Sequence, residues 1–361
     1  MKKTFKLLFA TLLAVALLVA CGGTGNGDTN GDDETKFKVV AVFDSGGQDD
    51  KSFNQSTWEG IQRFLKDNNL SDAHAVNLSS KDDGSDYVSN LDRAATEGAD
   101  MVIAIGFLFE NALAEVAPKH PDVHFLFIDG IIPDVANIHS TSFAEHEGSY
   151  LVGYVAGERA KADGSNRVGF VGGFPGPVIG RFQAGFEQGV WAANPDAVID
   201  VQYAMSFDDT AMGSSLATKL YDAGSNIVFH AAGNVGNGVI SEALNRENVW
   251  VIGVDRDQYL DGMDEKDHSV VLTSMLKRVD VAAYDFIKEY FENDGKVSTE
   301  LYTFNMKNEG ITAETTEDRN LTSEEIATIK DLEEKIKAGT ITVTEDPVIP
   351  DQTAWKLSDV E

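Results

Sequence analysis

The chain has 361 residues, 42% hydrophobic and 24% charged, with one cysteine, 29 Lys and Arg against 59 Asp and Glu, and a formal net charge of −30. That length supports two domain-sized cores, the apolar fraction excludes a disordered protein, and the acid excess excludes nucleic acid or anionic lipid headgroups as direct partners, since both need clustered Lys and Arg. A single cysteine excludes an intramolecular disulfide, a four-cysteine zinc site and a CxxC redox pair.

The first element is a leader. Lys2, Lys3 and Lys6 precede an uncharged run of 14 residues, Leu7 to Ala20, which is short for a membrane span of ~20 residues and suits the apolar part of a signal peptide. Residues 1–20 are read as that signal. The run ends Leu18-Val19-Ala20-Cys21, which resembles the lipobox of bacterial lipoproteins, cut before the cysteine and diacylated on its thiol. An ordinary secretory signal with an accidental cysteine is the alternative. The chain's only cysteine standing at the cleavage point favours lipidation of Cys21. Loss of the three lysines leaves 26 basic against 59 acidic residues, a net charge of −33. Residues 21–35, rich in Gly, Asp, Asn and Thr, read as a flexible tether. Together these place the folded part on the extracytoplasmic face of a cell membrane, held by lipid.

Strands are predicted at 37–43, 74–78, 100–106, 123–129, 167–172, 198–204, 226–231 and 249–255. Most are apolar throughout, as strands covered on both faces require. Amphipathic helices are predicted between them at 52–66, with Ser52 as N-cap, and at 86–96, 111–117, 147–161, 177–193, 210–222 and 238–245. The alternation predicts an α/β protein; eight strands could form one sheet or two, and two doubly wound parallel-sheet lobes that meet near residues 142–147 are favoured, because the rhythm breaks there with a short run at 138–143. The rhythm then changes, with a strand at 270–275, a helix at 278–293, a short strand at 301–305 and a charged helix at 323–338. The tail is expected to be irregular, along the surface.

The chain has no GxSxG elbow, GxxxxGK[ST] loop or HExxH, and its seven histidines are scattered, so neither a catalytic nor a metal site is expected. The glycine-rich turns at Gly172–Gly176 and Gly233–Gly238 are not GxGxxG and read as tight strand-to-helix turns at a cleft; no cofactor is expected. The richest segment is DSGGQDDKSFNQ, Asp44 to Gln55, at the carboxyl end of the first strand, where open α/β sheets hold ligands. It offers Asp44 at a strand end and Phe53 and Asn54 in the first helical turn. From pattern alone, Phe53 is as readily a core residue as a cleft-facing one. Phe207 stands on a second such loop, Asp255 ends a further strand, and Lys277 stands isolated among apolar neighbours. The pattern leaves open whether Asp255 and Lys277 are ligand-binding groups or a structural ion pair.

DDKSFNQ followed by WEG, with VIGVDRDQ, Gly106-Phe107, Arg181-Phe182, Ser206-Phe207, Ala231-Ala232-Gly233 and Lys277 in the same order, resembles the basic membrane protein family of nucleoside-binding lipoproteins. The resemblance spans most of the mature chain. It implies a type I periplasmic-binding-protein fold with three crossovers and closure at a hinge, and no enzymatic activity. It implies lobe 1 from 36–143 plus 256–298, lobe 2 from 144–255 plus 299–345, and a surface tail at 346–361. It implies a purine nucleoside ligand (guanosine, inosine or adenosine), delivery to ABC permease subunits and a monomeric receptor. By motif position, Phe53 and Phe207 would sandwich the base, Asp255 and Lys277 would hold ribose oxygens, and Asp44, Asn54, Asn111 and Gly233 would complete the site. Asn111 stands where the family often has Asp, and Asn234 where a second glycine is common. A sugar or autoinducer receptor of the same fold is the alternative, ahead of a surface nucleoside hydrolase.

Overall fold

The computed structural model describes residues 37–349 and the backbone of 354–355. The signal, Cys21, the tether and most of the last twelve residues lie outside the described residues.

Every side chain of the apolar run Val39–Phe43 (β1) is buried, as expected of a strand sandwiched between helices. It feeds Phe53–Asp67 (α1), and the alternation continues with Ala75–Ser79 (β2), Tyr87–Thr96 (α2), Met101–Ile105 (β3), Glu110–Val116 (α3), His124–Ile128 (β4) and Ile138–Phe143 (β5). A second set follows: Glu145–Ala162 (α4), Arg167–Gly172 (β6), Pro177–Ala193 (α5), Val198–Tyr203 (β7), Thr210–Asp222 (α6), Ile227–Ala231 (β8), Asn234–Ala243 (α7), Trp250–Asp255 (β9) and Val271–Lys277 (β10). The remainder is Val279–Glu292 (α8), Tyr302–Phe304 (β11), Ile311–Ala313 (β12), Ser323–Lys337 (α9) and Ala354–Trp355 (β13).

The strands form two sheets, ordered β11-β5-β4-β3-β1-β2 and β12-β10-β9-β8-β6-β7-β13. All neighbours are parallel except β12 on β10 and β13 on β7. Each sheet winds outward from its first strand in opposite directions. The winding reverses between β1 and β3 in lobe 1 and between β6 and β8 in lobe 2. In such sheets a crevice opens at the reversal, outside the carboxyl ends of the strands. Here two crevices face one another.

Two boundaries differ from the sequence reading. β10 pairs in parallel with β9, so residues 256–277 stay in lobe 2. The run Val271–Met275 is fully buried, and an open sheet edge beside β9 covers it. The return to lobe 1 follows Lys277, where α8 packs on α1: Arg63 pairs with Asp280 at 2.7 Å, and Phe64 meets Tyr284 and Phe291 edge-on. β11 then pairs with β5, so Tyr302–Phe304 belongs to lobe 1 and the last crossing lies between β11 and β12. A three-residue strand carries too little pattern to name its sheet. The tail is also not merely laid on the surface. Gln183 donates to the Ile349 carbonyl at 2.7 Å, Val348 N–H donates to Glu187 at 2.9 Å, Ile349 is buried, and β13 extends the second sheet.

Candidate functional site

A cleft lies between the lobes, lined among others by Asp44, Phe53, Asn54, Phe207, Gly233, Asp255 and Lys277. Seven of the eight ligand-binding residues expected from sequence therefore converge. Asn111 does not: it is exposed on α3 and does not line the cleft. The short 3-10 turn Phe107–Phe109 after Gly106 begins the helical path early, and Phe107 is the residue it turns into the cleft.

The first wall is the loop between β1 and α1. Its cap is Asp50, not Ser52. The Asp50 carboxylate accepts from the N–H groups of Ser52 at 2.9 Å, Asn54 at 3.0 Å and Gln55 at 3.0 Å, an arrangement worth about 1 kcal/mol of helix stability. Ser52 instead turns its hydroxyl across the cleft to the Asp255 carboxylate. Asn54 donates to the Ser45 carbonyl at 2.6 Å, which leaves its amide oxygen buried without a partner. Asp44 lies against Gly106, where a Cβ would overlap its carboxylate at 1.9 Å and where φ is +116°. Glycine is required there on both counts.

The second wall is built around Phe207. Ser206 Oγ accepts from the N–H groups of Asp208 at 2.9 Å and Asp209 at 3.0 Å, and Asp209 caps α6 through Met212 N–H at 2.8 Å. The ring rests over Gly173, where a Cβ would meet it at 2.1 Å, and it meets Phe107 and Phe174 edge-on with centroids 6.0 and 5.5 Å away. Gly233 takes φ +55°, and Val235 N–H behind it donates to the Phe207 carbonyl at 3.3 Å. Asn234 causes no crowding: its amide donates to Asp208 at 2.9 Å.

The floor carries charge. Lys277, 1% exposed, donates to Asp129 at 2.6 Å and Glu145 at 2.9 Å, and Arg181 pairs with the other Glu145 oxygen at 2.5 Å. The ammonium also lies 5.1 Å from the Phe53 centroid, 4.8 Å from Phe143 and 5.3 Å from Phe182, so rings cover it where oxygens do not. The structural ion pair that the sequence left open thus involves Lys277, but with Asp129 and Glu145. An ammonium has three N–H donors, and two are engaged here. Burial pushes the Glu145 carboxyl up, but Lys277 and Arg181 together hold it below its usual range. Burial pushes Asp44 up to about 8 and Asp255 up to about 7, the latter against the pull of Lys277. Burial thus favours the neutral Asp44 carboxyl, which accepts from Ser45 N–H at 2.7 Å through Oδ1 and can donate through its other oxygen.

Sequence reasoning missed Asp129, Ser45 and Phe107, which all line the cleft. Ser45 Oγ and Asp129 Oδ1 are buried without partners, like Asn54 Oδ1. A signal for Asp129 was available. It follows the last residue of β4 as Asp44 follows β1, and it shares a left-handed backbone with Asp255, φ 71° and 67°, a conformation that Asp tolerates better than most residues.

Two facing doubly wound lobes with a polar cleft at both winding reversals define a solute-binding protein of the periplasmic-binding-protein type. A solute-binding protein of an ABC transporter system from Aeropyrum pernix superposes with a TM-score of 0.73 at 25% identity, over 86% of this chain and 93% of that one. The family model described as "ABC transporter substrate-binding protein PnrA-like" matches residues 37–346. The chain belongs to that family of ABC transporter substrate-binding proteins, which are not enzymes. It is 39% identical to the CD4+ T-cell-stimulating antigen of Listeria innocua, over 96% of this chain and 99% of that protein. It is 38% identical to the ABC transporter nucleoside-binding protein BmpA of Lactococcus lactis, over 86% and 90%.

Proposed function

We propose that the chain is a lipid-anchored receptor on the outer face of the cell membrane. It captures a purine nucleoside between its lobes and hands it to an ABC permease. The observation that carries this is the pairing of Phe53 from lobe 1 and Phe207 from lobe 2 in one cleft with three buried, unpartnered polar atoms. Flat π-faces suit a base, each stack contributing about 1–3 kcal/mol, and lone polar atoms suit the hydroxyls and edge groups of a nucleoside. The nucleoside-binding name of the Lactococcus lactis relative supports the same reading. Asp44, Asn54 and Asp129 would meet base or sugar polar groups, Asp255 and the third Lys277 N–H the ribose, and Gly233 would hold Phe207 in place. Cys21 would carry the lipid.

Excess carboxyl groups around the cleft disfavour a phosphate, so adenosine is expected to bind far more tightly than AMP. Titration calorimetry against inosine, guanosine, adenosine, AMP, ribose and galactose tests the reading. Heat with a sugar and none with any nucleoside would sink it.

A further inference from the structure

Three consecutive residues of the β1–α1 loop, just ahead of Phe53, are gripped by lobe 2. Asn237 on α7 donates its amide to the Asp50 carbonyl at 2.9 Å. Gln258, after β9, donates its amide to the Lys51 carbonyl at 3.0 Å. The Lys51 ammonium reaches Asp261 at 3.4 Å, and the Ser52 hydroxyl reaches Asp255. Neither Asn237 nor Gln258 lines the cleft.

Both donors are built to be rigid. Gln258 is fully buried; its amide oxygen accepts from Val254 N–H at 2.9 Å, and its own N–H is held by Ser274 Oγ at 3.1 Å. Asn237 spends its other hydrogen on Asn234 at 2.7 Å, and Asn234 is fixed to Asp208 beside Phe207. The acceptors are presented as deliberately. Lys51 adopts φ 57°, uncommon for a non-glycine residue and costly enough to need support from its surroundings. The Asp50 side chain is consumed by capping α1, which leaves its carbonyl to face lobe 2.

We infer that Asn237 and Gln258 form a closure latch, positioning residues that hold the two lobes together through the backbone of the ligand loop without touching the ligand. Because the latch reads only main-chain carbonyls, it works equally for any solute that lets the lobes meet. It also fixes the loop directly before Phe53 and Asn54, so these reach their working positions only in the closed form. The latch sets affinity, and the cleft-lining side chains set selectivity. This rests on the nucleoside reading for its probes but not for its geometry.

The test uses Asn237→Ala, Gln258→Glu and the pair in the mature chain. Gln258→Glu keeps the acceptor for Val254 N–H and removes the donor to Lys51 once its buried carboxyl is ionised, so its affinities are read at alkaline pH. Each is expected to weaken inosine, guanosine and adenosine by the same factor, about tenfold at most for one neutral hydrogen bond. The loss should fall mainly in the dissociation rate. Lys119→Ala, which removes only an exposed ion pair with Glu115 outside the latch, should change affinity by less than about twofold. Affinities that do not move, or that move by different factors for the three nucleosides, overturn the latch. If Gln258→Glu fails to fold, Asn237→Ala alone carries the test. A wild-type chain that binds none of the three sinks the nucleoside reading instead. The latch is then judged by X-ray scattering of the ligand-free chains, where equal radii for wild type and the double variant overturn it.

Discussion

The lobes are joined in two regions by opposite chemistry. Beside the crossing segments, Lys277 at the end of β10 bonds Asp129 of lobe 1 and Glu145 at the start of α4, with Arg181 behind, all in a dry setting. At β1, three strands from β5 and so about 14 Å across the sheet, the lobes meet mainly through hydrogen bonds from uncharged donors, the Asn237 and Gln258 amides on carbonyls and the Ser52 hydroxyl on Asp255, with one half-exposed ion pair. Separating the first set strands buried charges, which costs about 3–5 kcal/mol when one partner is lost. Each neutral bond of the second set exchanges for water at a net cost of about 0.5–1.5 kcal/mol. A hinge and a latch are therefore distinguished by charge and solvent access. Ligand affinity of a few kcal/mol can govern the latch, while leaving the hinge intact.

The comparison can be broken most directly at Lys277. Lys277→Met is expected to cost about 3–5 kcal/mol, because Asp129 and Glu145 are left buried without it. Thermal unfolding of the ligand-free protein measures this; an unchanged midpoint would mean that the hinge network contributes specificity and not stability. Next in size, Phe53→Ala and Phe207→Ala are each expected to lose about 1–3 kcal/mol of nucleoside affinity with little change in unfolding, since both rings are only partly buried. If neither weakens binding, the base is not held between the lobes by these rings. A pH profile sharpens the boundary between the regions. Asp44 has its carboxyl raised to about 8 by burial, so the folded state holds a proton that the unfolded chain releases near pH 4. Asp44 therefore contributes a stability loss as pH rises from about 4 to about 8. Asp44→Asn should raise the ligand-free melting temperature at pH 8, leave it nearly unchanged at pH 4, and flatten the profile between. Parallel pH profiles for the two proteins would refute the neutral Asp44.

Much of this was legible beforehand. The fully apolar runs of β1 and β3 announce doubly covered strands, and a strand followed by DSGGQDDKSFNQ announces a loop at the cleft. What could not be read was the partner of each polar group. Ser52 looked like a cap and is a cross-cleft donor, while Asp50, one of the acids of the same loop, is the cap. Asn111 looked like a site residue, but an early helical turn carries it outward. The affiliations of β10 and β11 were invisible for the same reason: strand pairing joins residues far apart in the chain, and a short apolar run carries no address.

The sequence by itself determined the acid excess, the α/β rhythm and most of the residue types that line the cleft, because burial period and turn chemistry are local properties. Only the tertiary structure decided that Lys277 answers Asp129 and Glu145, that Asp44 carries a proton at neutral pH, and that two amides of one lobe hold two carbonyls of the other. Each depends on burial and on distances between segments up to about two hundred residues apart, which no local pattern encodes.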